Sequence, residues 1–292
     1  MNNIDLHIHT NASDGELSPQ QIVELALKKN LKAIAITDHD TVEGAKIAIK
    51  YASKKNIKVI PGIEISCYEK DIGFEEVHII GLFIDVYNKK LINFTELVRK
   101  DRIVQKKRII RKLNQLGFKI RFEDIEGMTQ FSIGRPHIAR RLVKNYPKEF
   151  KNEQEVFEQY IGVGKPAYAE RQENIKAIDA IRLIKQAGGV PILAHPGVFK
   201  KEDSLDLINY FLRWGGLGIE TFYPYNFVCG LTSFQAKSLN KFYANIAKKR
   251  KILQSGGSDF HGRIRKEVTL GILKIDYNIL KEIVRKIVKN NE

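Results

Sequence analysis

Short runs of β-branched and other apolar residues alternate along the chain with segments in which apolar residues recur at every third or fourth position. The first pattern is typical of buried strands and the second of amphipathic helices, so the alternation predicts βα units. The predicted strands are Ile4–Ile8, Ala33–Thr37, Lys58–Ile63, Val77–Phe83, Val190–Ala194, Gly218–Phe222 and Ile252–Ser255. Units of this kind favour a barrel of parallel strands surrounded by helices.

The regular alternation is interrupted between the fourth and the fifth predicted strand. About a hundred residues separate these strands, which is too many for a simple crossover. The helices predicted in this interval span Leu91–Leu116, Arg135–Lys144 and Gln154–Ile161. We therefore predict a barrel formed by residues 1–98 and 166–292, with a helical insertion formed by residues 99–165.

Capping residues predict where the first two helices begin. Ser18 is followed by Pro19 at the first helical position and by Gln21 at the third, which is the pattern of a capping box. Asp40 is followed by Glu43 in a similar arrangement. Asp40 is therefore expected to cap the second helix.

Composition places the chain among ordinary globular proteins. Its 292 residues are 43% hydrophobic and 28% charged, which excludes collagen-like, low-complexity and largely disordered classes. Cys67 and Cys229 are too few for a disulfide framework, and the N-terminus lacks the features of a secretory signal. No apolar run approaches the roughly 18–20 residues that a membrane span needs. We expect a soluble cytoplasmic protein.

The net charge of +15 is concentrated in the predicted insertion. Residues 99–151 contain 16 Lys and Arg against 5 Asp and Glu. Such a field attracts polyanions, of which nucleic acids and phosphorylated metabolites are the obvious examples. Solvated helix faces in a lysine-rich protein explain the charge equally well, and we expect this simpler role for Arg140 and Arg141.

The histidines follow the predicted strands. Six of the seven lie at or just after a strand, and the seventh, His137, lies in the insertion. In a parallel barrel the carboxyl ends of the strands meet at one mouth. The acidic residues that follow the same strands are therefore expected at this mouth too. The nine imidazoles and carboxylates expected there are His7, His9, Asp14, His39, Glu64, His78, His195, Asp259 and His261. Nine such groups exceed the needs of one ion and predict a multinuclear metal site.

Four short segments accompany these nine positions. They are Ser13–Gly15, Gly134–His137, Gly164–Tyr168 and Gly256–Gly262. With them the chain resembles the PHP (polymerase and histidinol phosphatase) phosphoesterases. The similarity is greatest to the branch that hydrolyses nucleoside 3′,5′-bisphosphates and trims RNA from the 5′ end. The resemblance implies an α/β fold, a distorted (β/α)7 barrel with a helical insertion between strands 4 and 5.

The resemblance also implies three divalent metal ions per chain. The implied ligands of the first ion are His7, His9, Glu64 and Asp259. Those of the second are Glu64, His78 and His195, and those of the third are Asp14, His39 and His261. Asp14 stands where histidinol phosphatase relatives commonly have a histidine, and this harder ligand favours Mn²⁺, with Zn²⁺ or Fe²⁺ as alternatives.

The expected chemistry is attack on phosphorus by a hydroxide that bridges the metal ions. Glu64, Asp259 and His261 are the expected catalytic residues, and either of the last two could relay a proton. Asp38, beside His39, is expected to orient a ligand imidazole.

Substrate contacts are expected from the insertion and from the end of the sixth strand. Arg135, His137 and Lys165 are predicted to bind a phosphate that is not cleaved. Tyr223, or its neighbour Tyr225, is predicted to stack on a base. The expected partners are a nucleoside bisphosphate and short RNA, without an obligate protein partner.

Three other functions compete with this hypothesis. A phosphatase for small metabolites of the histidinol phosphate type is disfavoured by the basic insertion and by Asp14. A non-catalytic accessory module is disfavoured because all nine ligand positions are retained. A metal-dependent C–N hydrolase uses similar ligands at a barrel mouth, and the sequence leaves this alternative open.

Overall fold

A computed structural model describes residues 3–129, 131–262 and 267–291. Within these residues the strands form one eight-stranded sheet in the order β7-β6-β5-β4-β3-β2-β1-β8. The strands are β1 (Asn3–Asp5), β2 (Ala33–Ile36), β3 (Lys58–Glu69), β4 (Phe74–Leu82), β5 (Val190–Leu193), β6 (Gly218–Phe222), β7 (Leu253–Gly256) and β8 (Ile275–Asp276). All seven predicted strands are present, and the short β8 is additional.

The expectation that all strands run parallel is wrong for β4. This strand is antiparallel to both β3 and β5, whereas β1, β2 and β3 are parallel to one another, as are β5, β6 and β7. β3 extends to Glu69 and turns back through a single 3₁₀ turn, Lys70–Ile72, with Gly73 at φ 87°. So short a connection can only join antiparallel strands. His78, the middle residue of β4, therefore pairs with Ser66 in the second half of β3 and lies beside the carboxyl end of β5.

Main-chain hydrogen bonds bring the two ends of the sheet together. The Leu6 amide donates to the Gly256 carbonyl (3.1 Å), the His9 amide to Phe260 (3.0 Å), and the Asp259 amide to His7 (2.9 Å). These bonds nearly close the sheet into a barrel. They also place the segment after β7 directly beside the two histidines that follow β1.

Eleven α-helices are found in the described residues. They are α1 (Pro19–Lys28), α2 (Glu43–Ala52), α3 (Lys89–Gln115), α4 (Glu123–Glu126), α5 (Arg135–Asn145), α6 (Glu153–Val156), α7 (Ala177–Gln186), α8 (Lys201–Arg213), α9 (Tyr225–Val228), α10 (Ser233–Arg250) and α11 (Tyr277–Asn291). The predicted capping box of α1 at Ser18 is confirmed. The predicted cap of α2 is wrong, because the helix begins at Glu43 with Val42 as its N-cap. Asp40 is buried and its carboxylate instead pairs with Arg102. None of the described helices combines the length and the apolar character that a bilayer crossing requires.

The helices between β4 and β5 have an apolar core of their own. It joins the second half of α3 to α5 and to the aromatic side chains of Phe118 and Phe150. The first half of α3 instead packs on the barrel, where Leu91 belongs to the main core. One continuous helix therefore connects the barrel with the insertion.

Candidate active site

The nine predicted ligand residues meet at one mouth of the barrel. Glu64 lies at their centre. Its Oε2 is 3.2 Å from His9 Nε2 and 3.1 Å from His39 Nδ1. Its Oε1 is 3.1 Å from His78 Nδ1 and 3.2 Å from His195 Nε2. One buried carboxylate thus contacts imidazoles delivered by four different strands.

Two further carboxylates complete the cluster. Asp259 Oδ1 is 3.1 Å from His9 Nε2 and 3.5 Å from His7 Nε2. Asp14 Oδ1 is 3.4 Å from His261 Nε2 and 3.6 Å from His9 Nδ1. The ligand atoms fall into three overlapping groups, each compact enough to hold a metal ion. These groups are His7, His9 and Asp259; His39, Glu64 and His78; and His9, Asp14, His39 and His261.

The donor atoms suit divalent cations. His7 Nε2 and His9 Nε2 are only 3.1 Å apart, and two lone pairs at this distance repel unless a proton or a cation lies between them. His9 Nδ1 and His195 Nδ1 are buried and have no hydrogen-bond partner within the described residues. Buried imidazole nitrogens are normally paired, so these atoms fit the role of ligands.

The electrostatics of the cluster point the same way. Burial lowers the pKa of His39 to about 3, which keeps this imidazole neutral as a ligand must be. Burial also disfavours a charged His9, but hydrogen bonds to Asp259 and Glu64 outweigh it and raise its pKa to about 9. Despite the opposing effect of burial, the surrounding imidazoles hold the pKa of Glu64 well below its usual range. A metal ion held by His9 at neutral pH would therefore displace one proton from this ring.

The backbone is strained at this mouth. Asp40, His195 and Asp259 all have positive φ values, of 53°, 29° and 51°. Such conformations cost about 1–3 kcal/mol each in residues other than glycine and cluster at functional sites. At these three positions the unusual backbone conformation directs the side chain to its partner: Asp40 to Arg102, His195 to Glu64, and Asp259 to His9.

Glu220 is a functional residue that the sequence reasoning missed. Its carboxylate is 3.1 Å from His7 Nδ1 and accepts the amide hydrogen of His195 (2.9 Å). A carboxylate behind a ligand imidazole fixes the ring and its tautomer. The sequence feature that could have revealed Glu220 is its position as an acidic residue inside the buried strand β6. Asp38 does not have this role as expected, because its carboxylate accepts hydrogen bonds from Thr10 and Ser13.

The expectation that Tyr223 stacks on a base does not fit its position. The side chain is 2% exposed, and its hydroxyl donates to Asp259 Oδ2 at 2.7 Å. Its ring packs against His195, with the ring centres 5.2 Å apart. Tyr223 therefore supports two of the candidate ligands. Tyr225 is fully buried as well, so its ring is not accessible for stacking on a base.

A cleft of about 200 Å³ opens beside the cluster. Asp14, His39, His78 and His261 line one end of the cleft. The other end is lined by four cationic side chains, which are Arg102, Lys106, Arg135 and Arg171. Of these cations, only Arg135 was predicted. We call the two sides of the cleft the ligand end and the basic end.

The three arginines of the basic end are all paired with carboxylates. Arg102 Nη2 is 2.5 Å from Asp40 Oδ2, and Arg171 Nη1 is 3.3 Å from the same oxygen. Arg135 Nη2 is 2.6 Å from Glu76 Oε2, and its guanidinium lies over the rings of Phe157 and Tyr168, 5.7 and 5.8 Å from their centres.

Glu76 joins the two ends of the cleft. Its Oε1 lies 3.5 Å from His78 Nε2, while its Oε2 binds Arg135. Asp40 makes a second connection, because it follows His39 in the chain and binds Arg102 of α3. The positions of two candidate ligands thus depend on residues that hold the basic end.

Three other residues of the insertion have surroundings that do not fit their predicted roles. His137 is buried, and its Nδ1 accepts the Gly134 amide hydrogen at the start of α5, so it does not line the cleft. Lys165 is exposed and does not line the cleft either. Arg140 is not simply solvated, because it donates to the carbonyl oxygen of Asp14 and its Nε is 3.2 Å from Glu153.

Comparison with known proteins shows the family of this chain. The family model described as PHP domain matches residues 5–174. A 5′-3′ exoribonuclease of Haemophilus influenzae is 33% identical over 262 residues, which cover 88% of this chain and 89% of that protein. A 3′,5′-nucleoside bisphosphate phosphatase of Chromobacterium violaceum is 32% identical over 269 residues, or 89% of this chain and 88% of that protein.

The fold has a close match among solved structures. A protein of Bifidobacterium adolescentis, described as an inferred metal-dependent phosphoesterase, superimposes with a TM-score of 0.82. It is 27% identical, and the match covers 98% of this chain and 96% of that one. The barrel with its insertion between β4 and β5 is thus a shared architecture. The chain belongs to the PHP domain family.

Proposed function

We propose that the protein is a metal-dependent phosphoesterase that removes the 3′-phosphate from nucleoside 3′,5′-bisphosphates, such as adenosine 3′,5′-bisphosphate. The same site would trim short 5′-phosphorylated RNA from its 5′ end. One observation carries the proposal: a single cleft has candidate metal ligands at one end and four cationic side chains at the other. The relatives named as a bisphosphate phosphatase and an exoribonuclease support it.

Both substrates make the same demand on the cleft. Each carries a 5′-phosphate that stays intact and a phosphoryl group on the 3′ oxygen that is cleaved. A site with a reacting end and a separate anion-binding end accepts both. The charge of the basic end is suited to the intact phosphate, because guanidinium and ammonium groups bind phosphate oxygens through charge-assisted hydrogen bonds.

The ligand end would hold the metal ions. We assign three divalent ions, with Mn²⁺ favoured, to the nine clustered residues. Bound divalent ions neutralise phosphoryl oxygens, activate water and stabilise the leaving oxygen. Glu220 holds the His7 ring through Nδ1, and Tyr223 holds one oxygen of Asp259, so that the remaining atoms of both ligands face the cluster.

Proton transfer is assigned to Asp259 and His261, with Glu64 as the shared carboxylate. His261 Nδ1 lies 3.4 Å from Asp259 Oδ1, and both side chains are almost fully buried. A pair at this distance can exchange a proton with a leaving group at the mouth. The insertion, residues 99–165, is proposed as the substrate-binding unit, with Arg135 as one contact to the intact phosphate.

Phosphate release from a panel of substrates tests the proposal. The panel contains adenosine 3′,5′-bisphosphate, single nucleotides, histidinol phosphate, a short 5′-phosphorylated RNA and a simple amide, each with Mn²⁺ added and after chelation. We expect hydrolysis of the bisphosphate and the RNA that depends on the metal. Preferred hydrolysis of histidinol phosphate would instead favour the metabolite phosphatase, and hydrolysis of amides alone would favour a C–N hydrolase.

A further inference from the structure

Helix α3 presents a buried polar face to the basic end of the cleft. Arg102, Gln105 and Lys106 are spaced by three and four positions, so they lie on one side of the helix. All three line the cleft and are nearly inaccessible to solvent, with Lys106 only 2% exposed. A lysine this deeply buried is unusual unless a partner compensates its charge.

Lys106 differs from the other cations of the basic end in its partners. Arg102 and Arg171 share the carboxylate of Asp40, and Arg135 binds Glu76. Lys106 Nζ donates to the neutral amide oxygen of Gln105 at 2.6 Å. In the part of the chain that the structure describes, no carboxylate forms an ion pair with it. Among the four cations of the basic end, Lys106 is therefore the one without a carboxylate partner in the described residues.

This arrangement is costly for the folded protein. Burial lowers the pKa of Lys106 well below its usual range, and the nearby guanidinium groups of Arg102, Arg135 and Arg171 act in the same direction. A dianionic group in the cleft would reverse both effects, since it would provide the missing opposite charge. A residue kept at such a cost, facing a cleft, is suited to binding an anion.

We infer that Lys106, with Gln105 beside it, is the principal binding residue for the phosphate that is not cleaved. The inference rests on the proposed function and makes it more specific. Arg135 has one nitrogen bound to Glu76 and lies over two aromatic rings, so its position is fixed and it makes a secondary contact to the phosphate. Lys106 has an ammonium group whose other hydrogens remain available to an anion, and so recognition of the 5′-phosphate depends most on it.

A pair of substrates that differ only in the 5′-phosphate tests the inference. In the metal-loaded protein we expect Lys106→Met to lower kcat/KM on adenosine 3′,5′-bisphosphate by about tenfold to a hundredfold. On adenosine 3′-phosphate, which lacks the second phosphate, the loss should stay below about threefold. Lys107→Met is the matched control: Lys107 is the next residue, is exposed, and lies over the ring of Phe122 instead of in the cleft. It should leave both values unchanged.

A binding measurement without turnover gives an independent answer. In chelated protein, adenosine 5′-phosphate should raise the Tm of the wild type and of Lys107→Met, but not that of Lys106→Met. Without the nucleotide, Lys106→Met should raise the Tm by about 2 °C or more, because an uncompensated buried cation is replaced by an apolar chain of similar length. Lys106→Gln, which keeps a polar group beside Gln105, replaces Lys106→Met in both assays if that variant does not fold.

Equal losses on the two adenosine substrates would overturn the inference, as would stabilisation of Lys106→Met by adenosine 5′-phosphate. A wild type that shows no preference for the bisphosphate would also contradict it. If the wild type hydrolyses neither substrate, the proposed function fails. The thermal assay still decides in that case whether Lys106 forms an anion site, so the two failures are distinguishable.

Discussion

At the ligand end of the cleft, imidazoles and carboxylates from the edges of several strands lie 3–4 Å from one another around Glu64. At the basic end, cations from α3, from α5 and from the segment before α7 lie against carboxylates of the barrel, among them Asp40 and Glu76. In the first group five imidazole rings share the carboxylate of Glu64. In the second group Arg102 and Arg171 share Asp40, Arg135 pairs with Glu76, and Lys106 has no carboxylate partner among the described residues.

This difference separates the roles of the two ends. A cluster in which every member contacts several others depends on all of them, so loss of one residue should affect the reaction of every substrate. Separate contacts at the basic end act on the part of the substrate that does not react. Losses there should depend on which substrate is offered, and that dependence is what mutations can measure.

Removal of a central ligand should have the largest effect. His9→Ala takes away an imidazole that contacts both Glu64 and Asp259, and we expect turnover of all phosphate esters to fall at least about a thousandfold. Chelation of the wild type should do the same. Far-UV circular dichroism should show an intact fold, because the barrel core lies below the mouth. Full activity in thoroughly chelated protein would refute the metal mechanism.

Weakening the support behind a ligand should have a smaller effect. Glu220→Gln keeps the shape of the side chain but loses the charge that holds His7 Nδ1. Such supporting carboxylates contribute about tenfold to a hundredfold in metal affinity or activity. The measurement is activity as a function of Mn²⁺ concentration, in which the midpoint should move to higher metal. An unchanged midpoint would show that Glu220 is only a structural acceptor for the His195 amide.

Loss of Arg135 should distinguish between substrates. A charge-assisted contact contributes about 1.5–3 kcal/mol, and Arg135 already shares its charge with Glu76, so Arg135→Ala should lower kcat/KM on adenosine 3′,5′-bisphosphate by about tenfold, at the lower end of the range expected for Lys106→Met. An aryl phosphate, which has no second phosphate, should lose much less. Arg141→Ala is a suitable control, because Arg141 pairs with Asp124 away from the cleft. Equal losses on both substrates would mean that Arg135 acts through Glu76 on His78.

The smallest effect is expected at Lys165. This residue is exposed and lies outside the cleft lining, so Lys165→Ala should change kcat/KM on the bisphosphate less than about twofold. Steady-state kinetics at low ionic strength, where surface charges act most strongly, is the sensitive test. A loss as large as that of Arg135→Ala would show that the loop around Gly164 closes over bound substrate.

Much of the ligand end could be predicted because its residues stand next to strands. Strands are recognised from local patterns, and a parallel arrangement brings their carboxyl ends together, so His7, His39 and Asp259 were expected at one mouth. The direction of β4 could not be predicted in this way. The direction depends on the tight turn that ends at Gly73. The apolar pattern of β4 predicts a strand but does not indicate whether it runs parallel or antiparallel to its neighbours.

The sequence by itself predicted the barrel, a helical insertion and nine candidate ligands, because each prediction rests on short-range spacing that the chain carries locally. Only the tertiary structure decided which charges are compensated. Asp40 looked like a helix cap and is buried against Arg102; Glu220 and Lys106 had no local motif at all. Pairing of charges depends on contacts between residues far apart in the chain: Arg102 and Asp40 are 62 positions apart, and His7 and Glu220 are 213 positions apart. The energy of a buried charge is set by those contacts, and they exist only once the barrel and the insertion have packed together.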